Sequence, residues 1–230
     1  MPHTVEQEQA WNAEQLTAPV LQPAFRVWTY AAPAIVLGCS QRAHLPALQA
    51  GAPNTPALVR ASGGGAVLVG PWMVSSSVVL PLAHPWVSGR INESYQGLGR
   101  LYVQLLARLG VVARALPPAE VLQAEMGLGA PVPWACFGSL ASWEVVDAAG
   151  GRKLVGLAQR RQRHGVLLVA GTLVSQPDWA LLCRAMGHPG DEAAMQQRTV
   201  SCAQLHSGFV SAAVYAQALH AALAQALGVQ

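Results

Sequence analysis

Two patterns of apolar residues indicate where this chain forms helices. In residues 92–109 leucines recur at spacings of three and four, which places them on one face of a helix: Leu98, Leu101, Leu105 and Leu109. Residues 211–227 show a similar amphipathic pattern, and residues 4–16 are rich in helix-forming side chains. Shorter helices are predicted at 42–51 and 176–187.

Short runs of β-branched and aliphatic residues, bounded by Gly and Pro, predict strands between these helices. They lie at residues 25–30, 34–38, 56–60, 65–70, 75–82, 111–116 and 165–174. The stretch SWEVVDAAGGRKLVGLAQRR, residues 142–161, is typical of a β-hairpin that turns at 148–151. Strands outnumber helices, so we predict an α+β fold with a mixed, largely antiparallel sheet packed with helices. With no repeat or linker in the pattern, we expect one domain over residues 1–230.

The composition favours a soluble cytoplasmic protein over a membrane protein. Hydrophobic residues make up 52% of the chain and charged residues 11%. The apolar runs are nevertheless short and interrupted, and none approaches the roughly 20 residues that span a bilayer. The first fifteen residues are too polar and acidic for a signal peptide.

Charge and metal-binding patterns exclude several classes of function. The formal net charge of +3 comes from scattered arginines without interleaved aromatic residues, which gives little support for nucleic-acid binding. The four cysteines form no CxxC pair and are expected to be reduced thiols. The seven histidines lack metal-binding spacings, so no metal site is predicted.

The stretch RASGGGAV, residues 60–67, is the sharpest local signal. Three consecutive glycines beside strand residues let the backbone approach a ligand closely and present N–H donors. A tight turn between two strands is the alternative explanation. Arg60, immediately before the loop, favours a site for a carboxylate or phosphate.

Two further residues are candidates for chemistry. Lys153 is the only lysine among 14 basic residues and lies early in the second strand of the predicted hairpin. It is either a surface charge or an ammonium that reaches a site while its stem packs against apolar neighbours. Cys136 is either a small core residue or a nucleophile, which requires a nearby positive group or base.

Taken in order, three stretches resemble motifs of the lipoate–protein ligase A and octanoyltransferase family, whose catalytic fold is shared with biotin protein ligases. They are RASGGGAV, CFGSLASWEV and RKLVGLAQRR followed by GTL, and the Gly-x-x-Gln of residues 38–41 is similar to an earlier family element. The similarity covers about residues 4–190. It implies transfer of an octanoyl or lipoyl group to a lysine of a lipoyl-domain protein, such as a glycine-cleavage H protein or a 2-oxoacid dehydrogenase E2.

The resemblance also implies roles for individual residues. The lysine at position 153 would contact the acyl carbonyl or acyl phosphate, where an ammonium stabilises developing negative charge. Loop and strand residues would bind the substrate: Arg60, Ser62, Gly63, Gly64, Gly65, Ala66, Gly156, Gln159, Gly171 and Thr172.

Three hypotheses about activity follow from the resemblance. The first is a transferase without a cofactor, with acyl carrier protein as candidate donor, because Cys136-Phe137 matches a pair found in thioester-forming octanoyltransferases. The second is a lipoate ligase that uses ATP and Mg to form lipoyl-AMP; such enzymes generally need a C-terminal accessory domain, which we do not expect here. The third is a catalytically silent acyl- or partner-binding homologue, suggested by Val69, Gly70 and Ala170 at places where the family has polar residues.

Overall fold

The fold of the protein is seen in a computed structural model, which describes residues 2–229 apart from the Asn92 side chain. The strands are β1 (Ala24–Thr29), β2 (Ala34–Leu37), β3 (Ala57–Val59), β4 (Val67–Val69), β5 (Met73–Leu80), β6 (Ala113–Ala115), β7 (Val145–Asp147), β8 (Lys153–Gln162) and β9 (Gly165–Leu173). The α-helices are α1 (Val5–Glu14), α2 (Leu45–Gly51), α3 (Gln96–Arg108), α4 (Val121–Gly127), α5 (Trp179–Ala185), α6 (Glu192–Arg198), α7 (Cys202–Leu205) and α8 (Ala212–Leu227).

Two sheets of different size organise these elements. Six strands form an antiparallel sheet in the order β1-β5-β9-β8-β7-β6, and three form a small sheet in the order β3-β2-β4. Only the β2–β3 pair is parallel within these two sheets. The predicted α+β class with a mixed, largely antiparallel sheet is therefore confirmed.

Helices α3 and α8 cover one face of the six-stranded sheet. The leucine spacing that predicted α3 buries Leu98, Leu101 and Leu105 against this face, together with Leu219 and Leu223 of α8. Helix α3 begins at Gln96 rather than near residue 92, because residues 91–93 form a separate 3₁₀ turn.

The small sheet, α1 and α5 lie against the opposite face. Their core contains Trp28, Ile35, Leu37, Leu68 and Met73, all nearly inaccessible to solvent. The chain crosses between the sheets directly after β1, so β1 and β2 belong to different sheets although only four residues separate them. Part of the predicted site, including Cys136 and Gly156, lies in the space between the two sheets.

The predicted hairpin is present as β7 and β8. Val146 pairs with Lys153, and the Asp147 N–H donates to the Arg152 carbonyl at 2.9 Å across the turn. Lys153 is consequently the first residue of β8, and its position is fixed by the turn. Within residues 2–229, every helix falls short of the length and apolarity that a membrane crossing requires.

Candidate active site

Arg60 shapes the glycine-rich loop that connects β3 to β4. Its side chain is buried, and it donates to the carbonyl oxygens of Val36 at 3.2 Å, Gly63 at 2.9 Å and Gly65 at 2.8 Å. A second bond to Gly63 comes from Nε at 3.1 Å. Four of the five N–H groups of the guanidinium are thereby occupied by backbone. Arg60 thus acts first as an internal support of the loop.

The loop fixes the backbone of the segment that carries Cys136. Gly64 has φ +92°, a conformation that side-chain-bearing residues rarely adopt. A Cβ on Gly65 would lie 2.5 Å from the Trp134 carbonyl oxygen, so only glycine permits this approach. At the end of the loop the Ala66 carbonyl accepts the Cys136 N–H at 2.8 Å.

Lys153 is buried directly beside Cys136, with 2% of its side chain exposed. Its ammonium donates to the carbonyl oxygen of Cys136 at 2.7 Å, to that of Ser139 at 3.0 Å and to Oε1 of Glu144 at 2.7 Å. These bonds occupy all three donors of the lysine. Phe137 lies under the ammonium, with its ring centre 5.2 Å from Nζ. The surface-charge explanation for this lysine is therefore wrong.

Glu144 completes a buried ion pair with Lys153. Its carboxylate also accepts the Leu157 N–H at 3.1 Å and the Ala141 N–H at 2.8 Å. Burial raises the pKa of the Glu144 carboxyl, while the Lys153 ammonium and the two backbone N–H groups act in the opposite direction. These contacts hold the ammonium in one place.

An apolar cavity lies between the two sheets on one side of Cys136. Its floor is a row of small residues in register across β8, β9 and β5, namely Gly156, Gly171 and Ser75. Its remaining lining includes mostly apolar side chains: Val36, Val67, Val69, Met73, Phe137, Leu157, Ala158, Val169 and Ala170. The cavity is therefore suited to a narrow aliphatic group.

An open cavity of about 320 Å³ lies on the other side of Cys136. Gly64, Gly65, Glu144 and Lys153 contribute to its lining. Cys136, half-buried, lines both cavities, so this residue sits at their junction.

The structure brings together only part of the predicted substrate-binding set. Ser62 and Gly63 line neither cavity, since their carbonyls accept the N–H of Cys39 and the Arg60 guanidinium. Gln159 donates to the Ile91 carbonyl at 3.1 Å, outside both cavities. Thr172 points to the opposite face of the sheet and bonds the Tyr215 hydroxyl at 3.0 Å.

Val69, Gly70 and Ala170 stand at positions where the resembled family usually has polar residues. Val69 and Ala170 line the apolar cavity, and Gly70 packs against the Trp72 ring. The apolar residues therefore extend a surface that is already apolar. Glu8, on α1, also lines this cavity and was missed, because nothing in the pattern of residues 4–16 distinguishes it from a surface glutamate.

The sequence of residues 7–222 matches the family model of the lipoyl protein ligase A/B catalytic domain. Two curated octanoyltransferases named LipM are similar in sequence. The Kyrpidia tusciae protein is 32% identical over 213 residues, 90% of this chain and 76% of the relative. The Moorella thermoacetica protein is 32% identical over 154 residues, 66% of this chain and 53% of the relative.

Solved structures with the same fold include a bi-partite lipoate protein ligase from Thermoplasma acidophilum, with a TM-score of 0.69 at 17% identity, covering 100% of this chain and 82% of that one. A lipoate-protein ligase A bound with ATP also gives 0.69, at 18% identity, with coverage of 100% and 83%. These likenesses confirm the predicted fold. The chain is an enzyme of the acyltransferase or ligase type, and it belongs to the lipoyl protein ligase A/B catalytic domain family.

Proposed function

We propose that this protein transfers an octanoyl group to a lysine of a lipoyl-domain protein through a thioester on Cys136. The observation that carries the proposal is the position of Cys136 between the apolar cavity and the open cavity. A thiol in this place can hold an acyl carbonyl while the chain lies between the sheets and a second reactant approaches from outside. The octanoyltransferase names of the LipM relatives support the same acyl group.

The floor of the apolar cavity has a length that suits eight carbons. From Gly156 to Ser75 it crosses two strand spacings, about 9.5 Å. Seven C–C bonds of about 1.5 Å in a zigzag chain also span about 9 Å. The cavity has a volume of about 50 Å³, so we expect the flexible Met73 side chain to move aside when the chain enters.

The reaction would proceed in two acyl transfers. The Cys136 sulfur attacks the thioester carbonyl carbon of an acyl carrier protein as its thiol gives up its proton; the new C–S bond forms, the old C–S bond breaks, and the donor sulfur leaves as a thiol that takes up this proton. A neutral lysine amine of the acceptor then attacks the Cys136 thioester. An amide C–N bond forms, the C–S bond breaks, and the proton from the amine returns to the Cys136 sulfur.

Lys153 would act on the acyl carbonyl of both steps. Its ammonium already lies against the Cys136 backbone, so an oxyanion on the acyl carbon forms close to a fixed positive charge. The Ser139 carbonyl is its most distant partner at 3.0 Å, and we expect the acyl oxygen to replace it. Glu144 is then a positioning residue that holds the ammonium in place.

The charges in the open cavity favour the transferase over the ATP-dependent ligase. Among the described residues that line it, Lys153 is the single cation and Glu144 the single carboxylate, and they bind each other. A triphosphate needs several cationic partners, and Mg²⁺ needs free carboxylate oxygens. The residues present do not fit Mg-ATP, and we assign no step to it.

The proposed acceptor is a lipoyl-domain lysine. In the Thermoplasma acidophilum system, the related ligase is described together with its E2 lipoyl domain. An extended lysine side chain would fit the open cavity, with its amine directed at Cys136. We further propose that residues 1–230 act as one catalytic domain.

The test is incubation with octanoyl–acyl carrier protein, followed by intact-mass measurement. We expect one octanoyl adduct that hydroxylamine removes and that passes to a lipoyl domain when one is added. Cys136→Ala should abolish it, whereas Cys39→Ala, at an exposed free thiol, should retain it. No adduct on the wild-type chain, or an adduct that survives Cys136→Ala, would contradict the thioester mechanism.

A further inference from the structure

A buried carboxyl lines the apolar cavity in addition to the site residues. Glu8, on α1, has only 3% of its surface exposed. The Tyr30 hydroxyl donates to its Oε2 at 2.8 Å. The neighbouring Gln9 amide also bonds this carboxyl, and both residues line the cavity.

No cation among the described residues 2–229 forms an ion pair with Glu8. The nearby Arg60 guanidinium donates to carbonyls of β2 and of the loop instead. Burial raises the pKa of the Glu8 carboxyl to about 7, with smaller opposing effects from Tyr30 and Arg60. Near neutral pH the carboxyl is therefore present both as a hydrogen-bond donor and as an acceptor.

Glu8 and Cys136 lie at opposite ends of the cavity. Phe137, next to Cys136, lies against Gly156 on β8: a Cβ there would be 3.2 Å from the Phe137 ring. At the other end of the floor, Ser75 and the Glu8 carboxyl both lie against the Tyr30 hydroxyl. A chain attached to Cys136 therefore reaches the carboxyl with its last carbons.

We propose that Glu8 determines specificity at the distal end of the chain, favouring an eight-carbon acyl group with a terminal hydroxyl or thiol over plain octanoyl. A terminal methyl group would exclude water from the Glu8 carboxyl and offer it no hydrogen bond, which costs free energy of binding. A terminal hydroxyl or thiol would form that hydrogen bond with the carboxyl. The inference rests on the proposed function, which assigns this cavity to the acyl chain.

Equilibrium binding of two neutral probes, octanamide and 8-hydroxyoctanamide, tests the inference on the full chain. We expect the wild type to bind the hydroxylated amide on the order of 10- to 100-fold more tightly. Glu8→Leu should lose or invert this preference, and Glu8→Gln, which keeps a hydrogen-bonding group of similar shape, should retain it. Equal binding of the two amides by the wild type, or a preference that Glu8→Leu leaves unchanged, would overturn the role of Glu8.

The same probes separate this inference from the proposed function. If the amides are distinguished through Glu8 but Cys136 is never acylated, the specificity residue stands and the transferase is rejected. If Cys136 is acylated and the amides bind equally, the transferase stands and the role of Glu8 is rejected. Should Glu8→Leu not fold, the comparison of wild type with Glu8→Gln at pH 5 and pH 9 replaces it. Only the wild type should then change its preference for the two probes as its carboxyl ionises, and an identical response of both proteins would reject the role.

Discussion

Replacing Lys153 by methionine should destabilise the protein strongly, because its partner is left charged in the interior. Methionine has a similar length but no charge, so the change removes the donors at Cys136, Ser139 and Glu144 without emptying the space. Breaking one member of a buried ion pair costs about 3–5 kcal/mol. Both side chains here are 2% exposed, so solvent screening does not lower this expectation.

The neighbouring residue supplies the control. Arg152 pairs with Asp147 at 3.2 Å; 37% of the arginine side chain but only 3% of the aspartate side chain is exposed. Because the arginine end is solvated and Asp147 keeps the backbone N–H of residue 152 as a donor at 2.6 Å, we expect Arg152→Met to change the free energy of unfolding by only about 0–1 kcal/mol. Lys153→Met should therefore lower the free energy of unfolding several-fold more than Arg152→Met, although the two residues are adjacent.

Urea unfolding followed by tryptophan fluorescence and circular dichroism measures both variants. The double variant Lys153→Met with Glu144→Leu should recover part of the lost free energy of unfolding, because no unpaired buried charge remains. We expect the double-mutant cycle to give a coupling energy of about 2 kcal/mol or more. If Lys153→Met lowers the free energy of unfolding by less than about 1 kcal/mol, or if the effects of Lys153→Met and Glu144→Leu simply add, the buried pair does not stabilise the protein as described.

Three other predictions concern the cavity and its surroundings. Gly171→Val should block acylation of Cys136 by octanoyl–acyl carrier protein, because the valine side chain would fill part of the apolar cavity. Ser75→Ala, in the same row, should preserve acylation. Equal acylation rates for the two variants would refute the assignment of this cavity to the acyl chain. Gly64→Ala and Gly187→Ala both place a side chain at positive φ, and each should lower the free energy of unfolding by about 1–2 kcal/mol. Only Gly64→Ala should slow the acylation of Cys136 measured by intact mass, because Gly187 lies outside the site. Burial raises the pKa of Glu8, so its contribution to stability is fully present below about pH 4.5 and is lost as the pH rises through about 7. Over this range the wild type should lose on the order of 3 kcal/mol of unfolding free energy relative to Glu8→Gln. If the unfolding free energies of the two proteins change in parallel with pH, the burial of this carboxyl is contradicted.

The secondary structure was largely predictable because each element carries its own pattern. The turn of residues 148–151 fixes the β7–β8 hairpin locally, and the leucine spacing of α3 directly determines which face is buried. The crossing from β1 to β2 between two sheets could not be predicted, because both strands have similar apolar residues. Strand pairing depends on partners distant in sequence, and local propensity does not specify them.

The candidate site was predictable only in part for the same reason. Cys136 and Lys153 were candidates from the residues alone, the resemblance implied a role for each, and the fold places them beside each other. Arg60 was expected to contact an anion, but four of its five N–H groups are occupied by carbonyls of β2 and of the loop, which no sequence spacing reveals. Glu8 lies about 130 residues from Cys136 in sequence, and only the packing of α1 on the sheets brings it to the same cavity.

The position of Cys136 between two cavities also sets an order of events. In the proposed mechanism the acyl chain occupies the apolar cavity, so the open cavity is the side from which both the donor sulfur and the acceptor lysine would approach Cys136. The donor must therefore depart before the acceptor enters, and initial-rate plots at several donor concentrations should be parallel, as in ping-pong kinetics. In the proposed mechanism the protein carries an activated acyl group by itself between the two visits, so the supply of octanoyl groups and the demand for them need not coincide in time.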